Sequence, residues 1–549
     1  MLKIIPLGGL GEIGLNMMLM EFEETIFVVD AGLMFPEDYM LGVDYVIPDM
    51  GYLKENAAKV AGVVLTHAHE DHIGALPYLL RLINCPVFGT PFTLGLVRHR
   101  LEEHDLIENA RLHDVLAGEI VRLGPFQVEF IQVGHSVVDG VGLAVRTPVG
   151  LLVHTGDFKI NHTRVTGANT DVNTFARLGQ EGVLALLSDS TNVEKEGYTI
   201  SDKEIGETLS RIIMSSTGRV IVALFASNIM RIQQIVDIAA ERGNKIAVNG
   251  KSLEISVHLA KSMGYLNIPE GMEIQVGEIR NYADRDVVII TTGSQGEPMS
   301  ALARMAAGTH KQLRIKEGDT VLLSSKFIPG NEKAIGNIIN NLYRRGADVI
   351  YEKISEIHVS GHAFREELKL MISLTRPRFF IPIHGEYRHL VLHGRLAQSV
   401  GIPEERILLA DNGQIIEFDE FGIRAGDTVA TGRILIDGKG IGDVGRSVLK
   451  ERRILSEDGL VVVTMAFDEE TGIVVYGPEI VSRGFVFKQD TGHLIEDAQC
   501  VVLEIVEEVE PGYPNRVAEI RTRLQKALRQ YFFFTIGRRP VILPFLLEV

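Results

Sequence analysis

Three histidines and one aspartate lie within six consecutive positions of the stretch LTHAHEDHIG, residues 65–74. His67 and His69 are two residues apart, so their side chains project in the same direction from an extended strand end. Asp71 and His72 follow directly, and a turn there can direct them to a neighbouring point. Neutral imidazole and carboxylate are the ligands of catalytic zinc. Because four candidates exceed the usual three protein ligands of one ion, the motif favours a two-ion site over a surface loop that gathered histidines by chance.

Further candidate ligands end apolar, strand-like runs elsewhere in the chain. They are His135 in VGHS, Asp157 in HTGDF and His384 in PIHGE. Each would be an ordinary structural residue if it stood alone. Together with the HxHxDH motif they predict a second ion, with Asp157 able to bridge both ions. Asp30 in VVDAG is predicted to support a ligand histidine or a turn from behind.

The elements that must position these residues change character along the chain. Up to about residue 200, short β-rich runs end in polar residues, which places the chemistry in loops at strand ends. From Ser201, whose spacing to Glu204 predicts a helix start, strands and helices alternate to about residue 352. This alternation predicts a parallel sheet with helices on both faces. The histidine-bearing strand ends then return, so the α/β block is predicted to be an insertion.

A glycine-rich connection, TGRILIDGKGIGDVGRS, leads to a terminal unit with hairpin-like strands, two helical stretches and a final strand, PVILPFLLEV. We therefore predict five segments. Residues 1–205 and 353–430 form two parts of one domain, residues 206–352 form the inserted domain, residues 431–447 form a linker and residues 448–549 form a C-terminal domain.

Composition limits the class of protein. The chain has 549 residues, 46% of them hydrophobic, and a net charge of −17, which argues against a generic nucleic-acid coating protein but allows a local basic groove. Two cysteines, Cys85 and Cys500, exclude a disulfide framework and suit a reducing compartment. No signal peptide or spanning apolar run is recognisable, so we expect a cytoplasmic protein without membrane association.

Nine motifs together resemble the metallo-β-lactamase superfamily, its β-CASP group and, within that group, the bacterial ribonuclease J family, over essentially the whole chain. They are PLGGLGEIGLN, LTHAHEDHIGALP, VGHSVVDGVG, HTGDFK, SDSTN, TTGSQGEP, IPGNE, HVSGHA and PIHGEYRHL. The resemblance implies an α/β protein with an αββα sandwich, an inserted β-CASP domain and a small C-terminal α/β domain through which homodimers or homotetramers assemble.

The resemblance also implies roles for individual residues. One Zn²⁺ would be held by His67, His69 and His135, the other by Asp71, His72 and His384, with Asp157 bridging; Mn²⁺ or Mg²⁺ are alternative ions. Asp189 would donate a proton and His362 accept one, although a histidine is the more natural acid at neutral pH. The segment His358, Val359, Ser360, Gly361 and His362 would contact substrate phosphates. The alternatives are that Asp189 only caps a turn and that HVSGHA is an ordinary polar turn.

The activity that the resemblance implies is hydrolysis of single-stranded RNA, internally and from a 5′-monophosphorylated end, in RNA maturation and decay, with RNA-decay proteins as further partners. A small-molecule hydrolase of lactams, lactones or thioesters is one alternative, and a non-catalytic RNA-binding scaffold subunit is another.

A weaker cluster of acids is separate from these motifs. Asp44 and Asp49 in GVDYVIPD, together with Asp443 in GIGDVG, could meet as an oxygen-ligand site for a hard cation such as Ca²⁺. The alternative is that they are three solvent-facing loop acids.

Overall fold

The computed structural model describes residues 1–161, 169–295, 297, 299–325, 331–351, 360–419, 422–438, 440–468, 470–485 and 493–549. The chain divides into two units. The first comprises Met1–Phe35 and Tyr45–Ile434, and the second comprises Pro36–Asp44 and Leu435–Val549. Within the described residues, no helix is long and apolar enough to cross a membrane.

The first part of unit one is rich in strands, as the sequence predicts. Its elements are β1 (Leu2–Gly8), β2 (Leu10–Gly11), β3 (Met17–Phe22), β4 (Thr25–Val29), β5 (Tyr45–Pro48), α1 (Gly51–Glu55), β6 (Val60–Val64), α2 (Glu70–Ile73), α3 (Leu76–Leu82), β7 (Pro86–Gly89), α4 (Pro91–Glu103), β8 (Arg111–Asp114), β9 (Ile120–Leu123), β10 (Phe126–Gln132), β11 (Val141–Arg146), β12 (Leu151–His154), α5 (Val172–Glu181) and β13 (Val183–Asp189).

The next block is the α/β unit that strand–helix alternation predicts. Its elements are α6 (Asp202–Ser215), β14 (Val220–Ala223), α7 (Ile229–Arg242), β15 (Lys245–Asn249), α8 (Lys251–Ser262), β16 (Val287–Thr291), α9 (Ala301–Ala307), β17 (Thr320–Leu323), α10 (Glu332–Arg344) and β18 (Asp348–Ile350). The strands form a parallel sheet in the order β15-β16-β14-β17-β18. The predicted helix start is confirmed, because the Ser201 side chain accepts a hydrogen bond from the Glu204 N–H at 3.2 Å.

The chain then returns to the sheets that it left. The remaining elements of unit one are α11 (Arg365–Thr375), β19 (Phe379–Ile383), β20 (Gly385–Glu386), α12 (Tyr387–Ser399), β21 (Gln414–Phe418) and β22 (Ile423–Thr428). β19 pairs in parallel with β13, so that Asp189 lies opposite Ile383. The strand that precedes the α/β block therefore neighbours the strand that follows it, and the predicted insertion is confirmed.

Two sheets and flanking helices form the αββα sandwich. One sheet has the order β22-β21-β1-β3-β4-β6-β7-β8 and the other β19-β13-β12-β11-β10-β9. Inward-facing side chains from both sheets share one buried core, which includes Leu2, Ile4, Met20, Phe27, Phe126, Phe130, Leu143 and Ile381. On the outer face of the second sheet, α5, α11 and α12 bury a further core with Phe175, Met371, Leu396, Val153 and Phe380. The α/β fold class is confirmed.

Unit two ends the chain with a small sheet and helices. Its elements, beginning at the junction, are β23 (Arg433–Asp437), β24 (Gly440–Ile441), α13 (Arg446–Asp458), β25 (Leu460–Phe467), β26 (Val474–Arg483), α14 (Leu494–Glu507), α15 (Arg516–Ile536) and β27 (Val541–Glu548). β25 pairs antiparallel with β26 and parallel with β27. The hairpin and the final strand match the sequence prediction, but the structure has three helices here where the sequence predicts two. The boundaries of the five predicted segments stay a prediction.

A buried carboxylate ties together the segments that lead into and out of the inserted domain. Glu367, on α11, is 0% exposed. One of its oxygens accepts hydrogen bonds from the Ile160 N–H and the Thr199 hydroxyl, both at 2.8 Å. The other accepts from the Thr199 N–H at 2.9 Å and the Phe364 N–H at 2.8 Å. Four donors converge on this side chain, so it must be an acceptor at both oxygens.

We predict that Glu367→Gln lowers the free energy of unfolding by about 1–3 kcal/mol, because its amide NH₂ must face two buried donors. The midpoint of urea or thermal unfolding measures the effect. The matched control is Glu366→Gln, whose partly exposed side chain pairs with Lys369 and which should change stability by less than about 0.5 kcal/mol. Equal stability of the two variants would contradict this role.

Candidate metal centre

The histidine motif is held in place by the backbone of the segment that follows β4. The Ala31 N–H donates to the His72 carbonyl at 2.7 Å, and the Leu33 N–H donates to the Glu70 carbonyl at 3.0 Å. Between them, Gly32 is so close to the motif that an added Cβ would lie 1.6 Å from the Asp71 carbonyl oxygen. Only glycine fits there, and the contact fixes where α2 begins.

The first group of ligand atoms comes from three loops. The Nδ1 atom of His69 lies 3.0 Å from Nε2 of His67 and 3.1 Å from Nε2 of His135. The Oδ2 atom of Asp157 lies 3.6 Å from the His67 nitrogen and 3.9 Å from the His135 nitrogen. The potential ligand atoms of these four residues all lie within 4.8 Å of one another.

The second group lies on the other side of the same aspartate. His384 Nε2 lies 3.3 Å from His72 Nε2 and 3.4 Å from Asp71 Oδ2. Asp157 approaches this group through both oxygens, with Oδ2 at 3.4 Å from His72 and Oδ1 at 3.6 Å from His384. The structure thus brings together all seven predicted ligands and places Asp157 between the two groups.

The donor set fits metal ions. Tetrahedral zinc with nitrogen ligands at about 2.0–2.1 Å separates those nitrogens by about 3.3 Å, close to the distances observed here. Burial is the main cause that lowers the pKa of His67 and His135 well below the usual range, and that of His69 to about 4. These three rings are therefore neutral and have lone pairs to offer.

The carboxylates give the centre a negative potential. Burial raises the pKa of Asp157, but the surrounding histidines, with His384 first, outweigh it and hold that pKa well below its usual range. In turn, burial lowers the pKa of His384, but the carboxylates of Asp157, Asp71 and Asp189 together outweigh it and raise that pKa to about 9. In the absence of metal, the carboxylates favour protonation of the neighbouring imidazole of His384. The same negative potential would favour binding of a dication.

Each ligand ring is oriented from behind through its other nitrogen or a neighbouring polar group. The outer contacts are His72 Nδ1 to Asp30 at 2.7 Å, His135 Nδ1 to the Gly361 carbonyl at 2.7 Å, His384 Nδ1 to the Thr191 hydroxyl at 2.8 Å, His69 Nε2 to the Ser227 hydroxyl at 3.1 Å and His67 Nδ1 to the Thr66 hydroxyl at 3.1 Å. Asp30 therefore has the supporting role that the sequence predicts.

The predicted proton-transfer residues form a hydrogen-bonded pair next to the ligands. His362 Nδ1 lies 2.8 Å from Asp189 Oδ2. The Asp189 side chain is 1% exposed, whereas that of His362 is 20% exposed. Asp189 also accepts hydrogen bonds from the Thr191 N–H and hydroxyl at 2.9 and 2.7 Å. It therefore caps a turn and contacts His362 at the same time, so the two interpretations of Asp189 are compatible.

The two ionisable groups of this pair influence each other. Burial raises the pKa of Asp189, but the neighbouring His362 outweighs it, and the net pKa is lowered. Burial lowers the pKa of His362, but Asp189 and Asp157 outweigh it, and the net pKa is raised. The proton of the pair therefore resides on the histidine.

The described part of the predicted phosphate-contacting segment lies beside this pair. The Ser360 hydroxyl accepts hydrogen bonds from the His362 N–H at 3.2 Å and from the Asn192 amide. Asn192 also donates to the His362 carbonyl at 3.2 Å. His358 and Val359, which belong to the same prediction, lie outside the described residues.

Each acid of the separate cation prediction contacts the backbone of a different glycine. Asp44 accepts from the Gly438 N–H at 2.7 Å, and Asp49 accepts from the Gly51 N–H at 2.8 Å. The carboxylate of Asp443 lies against Gly440. Among the described residues, the groups of converging ligand atoms all belong to the histidine centre and its neighbours. The calcium site stays a prediction.

Sequence reasoning missed several polar contacts of the centre, namely Asn16, Thr66, Thr191, Asn192 and Ser227. Asn16 lies with its amide nitrogen 3.1 Å from His72 Nε2, and Ser227 contacts His69 from the inserted domain. Thr191 and Asn192 belong to the motif SDSTN, and Asn16 belongs to PLGGLGEIGLN. The sequence therefore indicated the motifs but not the roles of these residues. What the sequence lacked was the pairing of distant strand ends that brings these residues to particular rings.

Family models match four successive parts of the chain. They are the metallo-beta-lactamase superfamily at residues 10–188, the ribonuclease J beta-CASP domain at residues 217–342, the Zn-dependent metallo-hydrolase RNA specificity domain at residues 346–405 and the ribonuclease J C-terminal domain at residues 447–549.

Full-length relatives agree with these matches. The chain is 43% identical to Ribonuclease J2 of Bacillus subtilis, over 100% of this chain and 98% of the relative. It is 41% identical to Ribonuclease J 1 of Streptococcus pyogenes, over 99% of this chain and 97% of the relative. A crystal structure of a protein of unknown function from Enterococcus faecalis shares the fold with a TM-score of 0.54 at 15% identity, covering 76% of this chain and 99% of that one.

The αββα sandwich, the inserted parallel domain and the converging ligands define a metallo-β-lactamase-fold hydrolase of the β-CASP type. Full-length identity of about 40% to its curated relatives narrows the class further. The chain belongs to the ribonuclease J family.

We predict that His69→Ala reduces bound metal from about two ions per chain to about one or none, because one of the two groups of potential ligands loses a member. Metal content is measured by mass spectrometry after dialysis, and circular dichroism checks the fold. RNA cleavage should be lost while RNA binding is largely kept. His258→Ala, at an exposed histidine on α8, is the control. Full metal content with the wild-type rate of cleavage would remove His69 from the centre.

Proposed function

We propose that the chain cleaves single-stranded RNA both internally and in the 5′→3′ direction from a 5′-monophosphorylated end, in RNA maturation and decay. As a member of its family, the chain is a metal-dependent hydrolytic ribonuclease. The observation that carries the proposal is the buried carboxylate of Asp157 between two groups of ligands, with the His362–Asp189 pair at its side.

The metal ions of this proposal are two Zn²⁺, with Mn²⁺ or Mg²⁺ as alternatives. His67, His69 and His135 would hold one ion, Asp71, His72 and His384 the other, and Asp157 both. When bound, such ions lower the pKa of water to about 7 and neutralise charge on phosphate oxygens. All seven side chains present their donor atoms to this centre, and five of them are less than 5% exposed, which excludes competing bulk water: His67, His72, His135, Asp157 and His384.

His362 is the residue that carries a proton to or from the reacting phosphate in this proposal. Its side chain is partly accessible and its Nδ1 atom is bonded to Asp189, which leaves Nε2 for the substrate. Asp189 is enclosed and accepts hydrogen bonds at both oxygens, so it orients His362 and stabilises the charged ring. This assignment differs from the one that the family resemblance implies, in which Asp189 donates the proton and His362 accepts one.

Ser360, Gly361 and His362, with His358 and Val359 from the sequence, are proposed to contact the substrate phosphates. The Gly361 carbonyl binds His135, and the Ser360 hydroxyl is held by Asn192. A phosphate bound at this segment would therefore be positioned relative to the metal ligands rather than on a free loop. This contact would select the phosphorylated end.

The proposal also places the chain in the cytoplasm, as a homodimer or homotetramer that works with other RNA-decay proteins. The C-terminal unit offers an apolar surface for assembly. Along β27, Leu543, Phe545 and Leu547 are 41%, 56% and 59% exposed, while the alternate residues face the core. Pro544 lacks an N–H and interrupts pairing along the strand edge, so the exposed face is the better contact.

We predict that a 3′-labelled single-stranded RNA with a 5′-monophosphate is degraded to mononucleotides, and that the same RNA with a 5′-triphosphate is not. A circular RNA of the same sequence, which has no ends, should still be cut internally. Chelator should abolish both reactions, because the centre needs its ions. Absence of any cleavage by metal-loaded protein would refute the ribonuclease proposal, and hydrolysis of a lactam or thioester instead would favour the small-molecule alternative.

We predict that Phe545→Ser converts dimers or tetramers to monomers, because it removes the largest apolar side chain from the exposed face of β27. Light scattering coupled to size-exclusion chromatography measures the mass. Met263→Ser removes an apolar side chain, 38% exposed, from the inserted domain and should leave the mass unchanged. A wild-type mass for the Phe545 variant would show that assembly uses another surface.

A further inference from the structure

The hydroxyl of Thr191 lies between a metal ligand and the proton-transfer pair. Its Oγ1 atom is 2.8 Å from His384 Nδ1 and 2.7 Å from Asp189 Oδ1. The opposite oxygen of Asp189 is 2.8 Å from His362 Nδ1. An unbroken row of hydrogen bonds therefore runs from His384 through Thr191 and Asp189 to His362.

The direction of each hydrogen bond follows from the place of His384 among the ligands. Its Nε2 atom faces Asp71 and Asp157 at 3.4 and 3.6 Å. A nitrogen that binds a metal carries no hydrogen, so the ring hydrogen is on Nδ1 and is donated to Thr191. The hydroxyl of Thr191 must then donate its single hydrogen elsewhere.

Two acceptors lie within reach of that hydroxyl. The Asp189 carboxylate is at 2.7 Å and the His384 carbonyl is at 3.2 Å. A charged acceptor at the shorter distance gives the stronger hydrogen bond. Asp189 Oδ1 therefore accepts the hydrogen bond from the Thr191 hydroxyl, and Asp189 Oδ2 accepts the one from His362 Nδ1.

The backbone keeps Thr191 in this place. Asp189 ends β13 beside the end of β19, and the Ser190 N–H donates to the His384 carbonyl at 3.3 Å. His384 itself has a left-handed backbone with φ of +52°, a conformation that is strained for a residue other than glycine. Contacts from residues 190 and 191 to both the ring and the carbonyl of His384 offset that strain.

The geometry points to Thr191 as a positioning residue that sets the tautomer and orientation of His384 and, through Asp189, the orientation of His362. Binding of the second metal ion and placement of the proton-carrying ring would then depend on one hydroxyl. The His362 part of this inference rests on the proposed function, whereas the His384 part concerns metal binding alone. Nothing in the seven-ligand set requires such a link, because the ligands and the proton-transfer pair could be held by separate contacts.

The test compares Thr191→Val, which keeps the shape but removes the hydroxyl, with Thr191→Ser, which keeps the hydroxyl. The metal-free protein is titrated with Zn²⁺ in competition with a chromophoric chelator, which measures both dissociation constants. We expect Thr191→Val to weaken one ion by about 10–100-fold and to leave the other unchanged. Thr191→Ser should bind both within about threefold of the wild type, since its hydroxyl can make the same hydrogen bonds.

Kinetics on 5′-monophosphorylated RNA give the second readout. For Thr191→Val at saturating Zn²⁺, kcat should fall by about 10–100-fold while KM stays within about twofold, because RNA binding is shared among several residues whereas the proton transfer depends on His362. Thr208→Val is the matched control, because its exposed hydroxyl donates to the Glu204 carbonyl of its own helix at 3.1 Å. It should change neither metal affinity nor kcat.

Wild-type metal affinities in Thr191→Val would overturn the inference, and so would equal losses in the Val and Ser variants. If Thr191→Val does not fold, Thr191→Ala replaces it with the same expected result. If the wild type binds two ions and does not cleave RNA, the proposed function fails while the titration still decides the role of Thr191.

Discussion

The buried carboxylate of Asp157 is the charge on which the arrangement of the centre depends. It is 4% exposed and lies within 4 Å of nitrogens from five histidines, which are His67, His72, His135, His362 and His384. An isolated carboxylate at such depth would be costly, so the surrounding imidazoles and the ions that they bind must compensate for it. Three features serve to hold cations at this carboxylate. They are the imidazole rings that face it, the close backbone approach at Gly32 and the hydroxyl groups that orient the rings from behind.

The inserted domain contributes a contact to this arrangement. Ser227, two residues before α7, contacts Nε2 of His69, the ring nitrogen that faces away from the other ligands. Among the described residues, the corresponding contacts of the other four ligand histidines come from outside the inserted domain. The centre is thus built by both domains of the first unit. Through this contact, the position of the inserted domain affects the orientation of the His69 ring directly.

The sequence allowed more of the centre to be predicted than of its support. HxHxDH was recognisable because its four ligand-type residues exceed what one ion needs, and His135, Asp157 and His384 were recognisable in combination with it. Strand–helix alternation likewise indicated the insertion, because the change from one hydrophobic period to another is visible in the sequence. Thr191, Ser227 and Asn16 were not recognisable, because hydroxyl and amide residues are common in turns and only the pairing of β13 with β19, or of one domain with another, selects them. The extra helix α13 lies in a charged stretch with no buried residue, where periodicity carries little signal.

The parallel pairing of β13 with β19 also determines when the centre can exist. His384 follows β19, whereas the other ligands of its group, Asp71 and His72, are encoded more than three hundred residues earlier. Domains fold as the chain emerges during synthesis, from the N-terminus onward. A nascent chain that ends before β19 lacks one ligand of the second group and the neighbouring strand of β13. The second ligand group therefore cannot be complete until β19 and His384 have been synthesised, so the earlier motif HxHxDH exists for a time without the partner that closes its centre.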